Sequence, residues 1–137
     1  MTENARIGAL VVTHGKLGHE LVAAAEMIVG DLSWIEAISI GWHEDVNESK
    51  EAIEKGARSV DQGKGVLILT DMFGGTPSNL SLALLEKGRV EIVTGVNLPM
   101  IIKLAGQSGQ ESVSELARRL KDQGQSHISI ASELLGE

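Results

Sequence analysis

His14 closes the apolar run Leu10-Val11-Val12-Thr13, and Asp71 closes a second run, Leu67-Ile68-Leu69-Thr70, just before Met72-Phe73-Gly74-Gly75-Thr76-Pro77. An imidazole becomes a useful nucleophile when one ring nitrogen is free and the other is held by an acceptor that fixes tautomer and orientation. If the two runs are neighbouring parallel strands, Asp71 is that acceptor. Backbone amides at a glycine turn leading into a helix N-terminus donate to an anion without themselves reacting. Gly74, Gly75 and Thr76 supply such amides, and the bare glycines let a phosphoryl group and its donor approach closely. The chemistry these residues suggest is phosphoryl capture. His14 and Asp71 form the reactive pair, and Gly74, Gly75 and Thr76 form the phosphate-binding turn.

Taken singly, a strand-end Asp or Gly is an ordinary turn former; their joint occurrence carries the reading. Rival chemistries lack their motifs. There is no G-x-S-x-G elbow for a serine hydrolase, and neither a Walker loop nor a G-x-G-x-x-G turn for ATP or NAD, so no cofactor is expected. No paired acids precede His14, which sets the chain apart from receivers that phosphorylate an aspartate. The other histidines fit surface roles: His19 at the start of the first helix, His43 in the loop after the second strand, His127 at a subunit edge. The spacing of His14 and His19 does not match the helical i, i+4 pattern and no third ligand stands out, so no metal site is expected.

The chain has 137 residues and fits a single domain, read as residues 1–137. A net charge of -7 disfavours nucleic acid and anionic lipid as partners. Aromatic content of 2% leaves few rings on which bases or sugars could stack. Without cysteine there is no disulfide scaffold or thiol nucleophile. The first apolar run is too short to be a signal peptide or a spanning helix, which predicts a cytoplasmic protein with no membrane insertion.

The elements that must position His14 and Asp71 follow from patterning. Short runs at Ile7 to Thr13, Ile35 to Ile40, Gly65 to Thr70 and Val90 to Thr94 read as strands buried on both faces. Helical periodicity separates them. Gly18 to Val29 sets Leu21, Ala24, Ala25 and Ile28 on one side, and Val46 to Val60 carries Ile53, Ala57 and Val60. Pro77 suits the first turn of a helix beginning right after the Asp71 loop. Ser112 to Lys121 reads as a further helix with Val113, Leu116, Ala117 and Leu120 inward, stopped by Gly124. The alternation predicts an α/β fold, an open and mainly parallel sheet with helices on both faces. In such sheets ligands gather outside the carboxyl ends of the strands, where His14, Asp71 and Asn97 are all expected to lie. His127-Ile128-Ser129-Ile130 alternates like a half-exposed edge strand, antiparallel and open to pairing with another subunit.

These motifs, with Ala24-Ala25-Glu26-Met27-Ile28-Val29-Gly30 and Gly95-Val96-Asn97-Leu98-Pro99-Met100, resemble the IIA domain of the mannose family of the bacterial phosphoenolpyruvate-dependent sugar phosphotransferase system. The resemblance runs from Ile7 to about Leu104. It implies that His14 accepts phosphate from the histidine-containing phosphocarrier protein and passes it to a IIB component. It implies further that Asp71 orients the ring through Nδ1, that Thr76 takes the position of a phosphate-contacting hydroxyl, and that a C-terminal strand is exchanged in a homodimer. No IIB segment follows the domain in this sequence, so the next acceptor is expected to be another polypeptide or to be missing. Two alternatives keep the fold: a stand-alone regulatory module whose His14 phosphorylation state controls a kinase or transcription factor, and a small-ligand-binding domain without phosphotransfer.

Overall fold

The computed structural model describes residues 5–41 and 45–136. Strands β1 (Gly8–His14), β2 (Ile35–Ile40), β3 (Val66–Thr70) and β4 (Val90–Thr94) form one sheet in the order β2-β1-β3-β4, every pairing parallel. Helices α1 (Leu17–Val29), α2 (Val46–Val60) and α3 (Thr76–Leu82) form the crossovers between successive strands, and α4 (Leu98–Ala105), α5 (Val113–Ser126) and the single turn α6 (Ala131–Leu134) follow β4. The expected α/β architecture is present, with strand and helix bounds close to those read from patterning.

Alternation along the strands divides the core in two. Ile7, Ala9, Val11, Leu67 and Leu69 pack with Ala25 of α1, Met100, Ile101 and Leu104 of α4, and Val113, Leu116 and Leu120 of α5. On the other face Leu10, Val12, Val66 and Ile68 meet Ile53, Ala57 and Val60 of α2, with Leu80 and Leu84 behind them. Side chains of successive strand residues point to opposite faces, so a strand covered on both sides must be apolar throughout. Residues Gly8 to Thr13 of β1 are all buried, and only His14 emerges.

Three expectations need correction, and a fourth concerns a strand that only a second chain could complete. Gly124 does not stop its helix. α5 continues to Ser126, and Gly124 is where α4 crosses, since a Cβ there would lie 2.8 Å from both Cγ and Sδ of Met100. Ile28 does not share the burial of Ala25 on its side of α1 but is 60% exposed, between Met27 at 89% and Val29 at 42%. Asn97 starts a helix that the patterning left unassigned: its side chain accepts from the Met100 amide at 3.2 Å and donates to the Gly124 carbonyl at 3.1 Å. Residues 127–130 form no strand; Ile128 and Ile130 are exposed, and Ile128 lies beside Val93, Thr94 and Gly95 without joining a ladder. A strand exists only through its partner, and within one chain this segment has none.

One long-range tie was invisible in the patterning. The buried side chain of Gln107 accepts from the Ile7 amide at 2.9 Å and donates to the Ile7 carbonyl at 3.0 Å. It acts as a surrogate strand where the chain enters β1, satisfying both backbone groups of a buried residue.

Candidate functional site

The chain leaves β1 for β2 on one side of the sheet and then crosses to β3 on the other. Loops after β1 and β3 therefore diverge to opposite faces, opening a crevice at the carboxyl ends of these two strands. His14 ends β1, and Asp71 directly follows β3. Their adjacency rests on the parallel pairing that sets Val12 opposite Thr70.

One Asp71 oxygen, Oδ2, accepts both from the His14 backbone amide at 3.0 Å and from His14 Nδ1 at 2.8 Å. The other, Oδ1, accepts from the Met72 amide at 3.0 Å. An ionised carboxylate only accepts, so Nδ1 carries a proton, and in the neutral form of the ring Nε2 is the nitrogen with the lone pair. Partial burial raises the Asp71 carboxyl, but the hydrogen bonds from the His14 ring and amide, the charge of the ring and the carboxyl's own backbone bond together outweigh it. The net effect holds this group below the ordinary aspartate range. The Asp71 side chain is 13% exposed and that of His14 51%, so the orienter is covered while the nucleophile is open.

Gly75 completes the geometry. It has extended backbone as the N-cap of α3, and a Cβ added to it would lie 2.8 Å from His14 Cε1 and 3.2 Å from Nε2. The free nitrogen thus faces the glycine turn, where amides at the start of a helix have no intrahelical acceptor. Gly74 turns with φ of +92°, a conformation that L side chains rarely adopt. Thr76 is exposed and lines, with His14, Gly15, Ile40 and Gly41, an open cleft of about 500 Å³.

All five residues singled out from the sequence meet here. Asn97 does not join them; it follows β4, two strands from β1, and is occupied as a helix cap. His19 belongs to the opposite face, where its Nδ1 lies 3.2 Å from Ser39 Oγ. His127 ends α5, its Nδ1 3.0 Å from the Gln123 carbonyl. His43 falls outside the described residues. Patterning missed the wall formed by Ile40 and Gly41; the register that sets Ile40 opposite His14 is what brings it there. A somewhat larger cleft of about 570 Å³ runs between β4 and α5, but Glu91, Thr94, Ser114, Arg118 and Lys121 line it without a histidine.

A doubly covered parallel sheet with a carboxylate-held histidine at its switch point, its free nitrogen aimed at a glycine turn, defines a phosphoryl-carrier type of α/β domain. Residues 8–121 match the family described as PTS system fructose IIA component, and the chain belongs to that family. It is 26% identical over 130 residues to the fructose-specific EIIA component of Bacillus subtilis, covering 94% of this chain and 89% of that one. It is 31% identical over 129 residues to the mannose-specific EIIAB component of Escherichia coli, covering 89% of this chain but only 38% of that longer protein. The crystal structure of the PTS IIA protein associated with the fucose utilization operon from Streptococcus pneumoniae superposes with a TM-score of 0.84. That match has 25% identity and covers 95% of this chain and 96% of that one. Members of the family are phosphotransferases of sugar-transport systems that work through phosphohistidine, and this chain is such a component. No helix among the described residues is long and apolar enough to cross a membrane.

Proposed function

We propose that His14 is the phosphoryl acceptor of this chain, taking the group from the histidine-containing phosphocarrier protein on Nε2 and passing it to a IIB component of a mannose-type sugar uptake system. The observation that carries this reading is the 2.8 Å contact between His14 Nδ1 and Asp71, which leaves Nε2 as the free nitrogen against Gly75. Attack by the Nε2 lone pair places positive charge on the ring, and the ionised Asp71 offsets it. The amides of Gly74, Gly75 and Thr76 and the Thr76 hydroxyl hold the phosphoryl oxygens. With little covalent work left to the protein, alignment and charge supply the catalysis.

The protein works in the cytoplasm as one IIA domain and as a homodimer. Support for the dimer lies at the β4 edge, which is open beside the cleft that α5 borders, and in the exposed Ile128 and Ile130 a short way along the chain. In this reading residues 127–130 of one subunit pair antiparallel with β4 of the other, satisfying an edge that would otherwise invite indiscriminate pairing.

Incubation with phosphoenolpyruvate, enzyme I and the phosphocarrier protein, followed by intact-mass measurement, tests the acceptor. One phosphoryl group is expected on the wild type and none on His14→Ala; labelling that survives the substitution refutes the assignment. Sedimentation tests the dimer. Removal of residues 127–137 is expected to give a folded monomer, and an unchanged dimer would exclude strand exchange.

A further inference from the structure

Among the described residues of the loops at the carboxyl edge of the sheet (14–17, 41, 45–46, 71–76 and 95–98) there is a single lysine or arginine, Lys16. It lies two residues beyond His14, is exposed, and occupies the N-cap of α1, its carbonyl accepting the first helical bond from the Glu20 amide at 3.0 Å. Local physics gives lysine no reason to be there. An N-cap favours a side chain that accepts a hydrogen bond, and Lys16 makes no capping bond. A helix start also carries partial positive charge, which a cation opposes. The capping function has moved instead to the buried Thr13, whose Oγ1 accepts from the Gly18 amide at 2.7 Å. The ion pairs among the described residues are His14–Asp71, Arg89–Asp61 and Arg119–Glu111, so none of them engages the Lys16 ammonium. A residue that violates local preference beside a reactive group is the pattern expected of a functional position.

The charge balance of the reaction supplies the function. A phosphoryl group on Nε2 brings two negative charges into an acidic protein of net charge -7, next to the Asp71 carboxylate. Asp71 is matched to the ring cation, which leaves the phosphoryl oxygens with neutral amides and a hydroxyl. We propose that the Lys16 ammonium folds back over the turn at Gly15 and neutralises the phosphoryl group as it arrives on His14, making it a catalytic residue of the transfer. Gly15, with φ of +54° and open space where a Cβ would stand, leaves that approach unobstructed. This proposal rests on His14 as the acceptor.

Phosphoramidate, a small phosphoryl donor, separates action on the phosphoryl group from docking of a protein partner. The Nε2 lone pair forms the new N–P bond, and the N–P bond of the N-protonated donor breaks with its electron pair leaving on ammonia. The Nδ1 proton stays with the Asp71 contact throughout. Lys16→Ser is expected to accept phosphate from phosphoramidate about tenfold more slowly, in line with loss of one exposed charge stabilising the transferred group. Its melting temperature is expected to equal or exceed that of the wild type, because serine is the better N-cap. Lys16→Arg is expected to recover most of the rate. A wild-type rate in Lys16→Ser overturns the proposal, as does a loss that arginine leaves uncorrected. Slowing confined to the phosphorylated carrier protein also overturns it and assigns Lys16 to docking. If wild-type His14 takes no phosphate from either donor, the acceptor reading itself falls.

Discussion

Gly75→Ala isolates the positioning of the nucleophile from the stability of the fold. The backbone at Gly75 is extended, with φ of -87° and ψ of 171°, so alanine adopts it without strain. Removing glycine freedom from the unfolded chain stabilises by about 0.4–1 kcal/mol where the native conformation is compatible. The new methyl, however, would lie 2.8 Å from His14 Cε1 and 3.2 Å from Nε2. Carbon atoms settle at about 3.5–4.0 Å, so the Cε1 contact is short by at least about 0.7 Å, that is 3.5 minus 2.8. The ring is the part that can move, because its side chain is half exposed while Gly75 is fixed at a helix start. A displacement of this size stretches the 2.8 Å bond from Nδ1 to Asp71 and covers the face of Nε2. Misplacing a reacting atom by about 1 Å costs on the order of a hundredfold in rate, or about 2.7 kcal/mol of barrier. Rapid-quench transfer from the phosphorylated carrier protein, read by intact mass, is therefore expected to slow by about thirty- to a hundredfold, with the urea midpoint equal to or above wild type. A rate within about threefold of wild type would show that Nε2 does not depend on the space over Gly75, and the geometric reasoning would fail.

Asp71→Asn keeps the shape of the orienter but removes its charge and offers a donor where only an acceptor serves; His14 phosphorylation is expected to fall by about a hundredfold or more with the fold intact, and undiminished labelling would exclude the orienting role. Because the Asp71 carboxyl titrates lower in the folded protein than in the unfolded chain, its contribution to stability is complete above the unfolded value near about 3.9 and is lost as pH falls through the folded value. Urea midpoints measured between about pH 6 and pH 2 should thus fall further for wild type than for Asp71→Asn, and parallel curves would show that the carboxyl is not coupled to folding. Gln107→Ala leaves the buried Ile7 amide and carbonyl without their partners and is expected to destabilise by about 2–4 kcal/mol by urea denaturation, while any His14 labelling of the folded fraction is unchanged; a loss below about 1 kcal/mol would refute the strand-surrogate role.

Much of the fold was legible because its strands are short and apolar and its helices strongly periodic. Val90–Thr94 and Val46–Val60 begin and end where the pattern changes, and Ile53, Ala57, Val60, Val113, Leu116, Ala117 and Leu120 are buried as their spacing demands. Misses share a cause. Asn97 followed by Pro99 carries the local signature of a helix start, yet a strand-end asparagine reads equally well as a site residue until its partners are known. Gly124 resembles a stop signal and is in fact a crossing point, because only the position of Met100 on another helix gives its missing side chain a purpose. Periodicity marked Ile28 as apolar-facing, but whether anything covers that face is settled by neighbours remote in the chain.

Residue types and local order alone determined the chemistry on offer: an imidazole ending one buried run, a carboxylate ending another, and a glycine turn entering a helix. Which atoms meet was decided by tertiary structure. His14 and Asp71 are separated by 57 positions, and an apolar run looks the same whichever strand it pairs with. The insertion of β1 between β2 and β3 places the two strand ends side by side, and that register aims Nδ1 at the carboxylate and Nε2 at Gly75. Side-chain pattern encodes burial, which is local and additive, whereas reactive geometry depends on non-local pairing to within a fraction of an ångström.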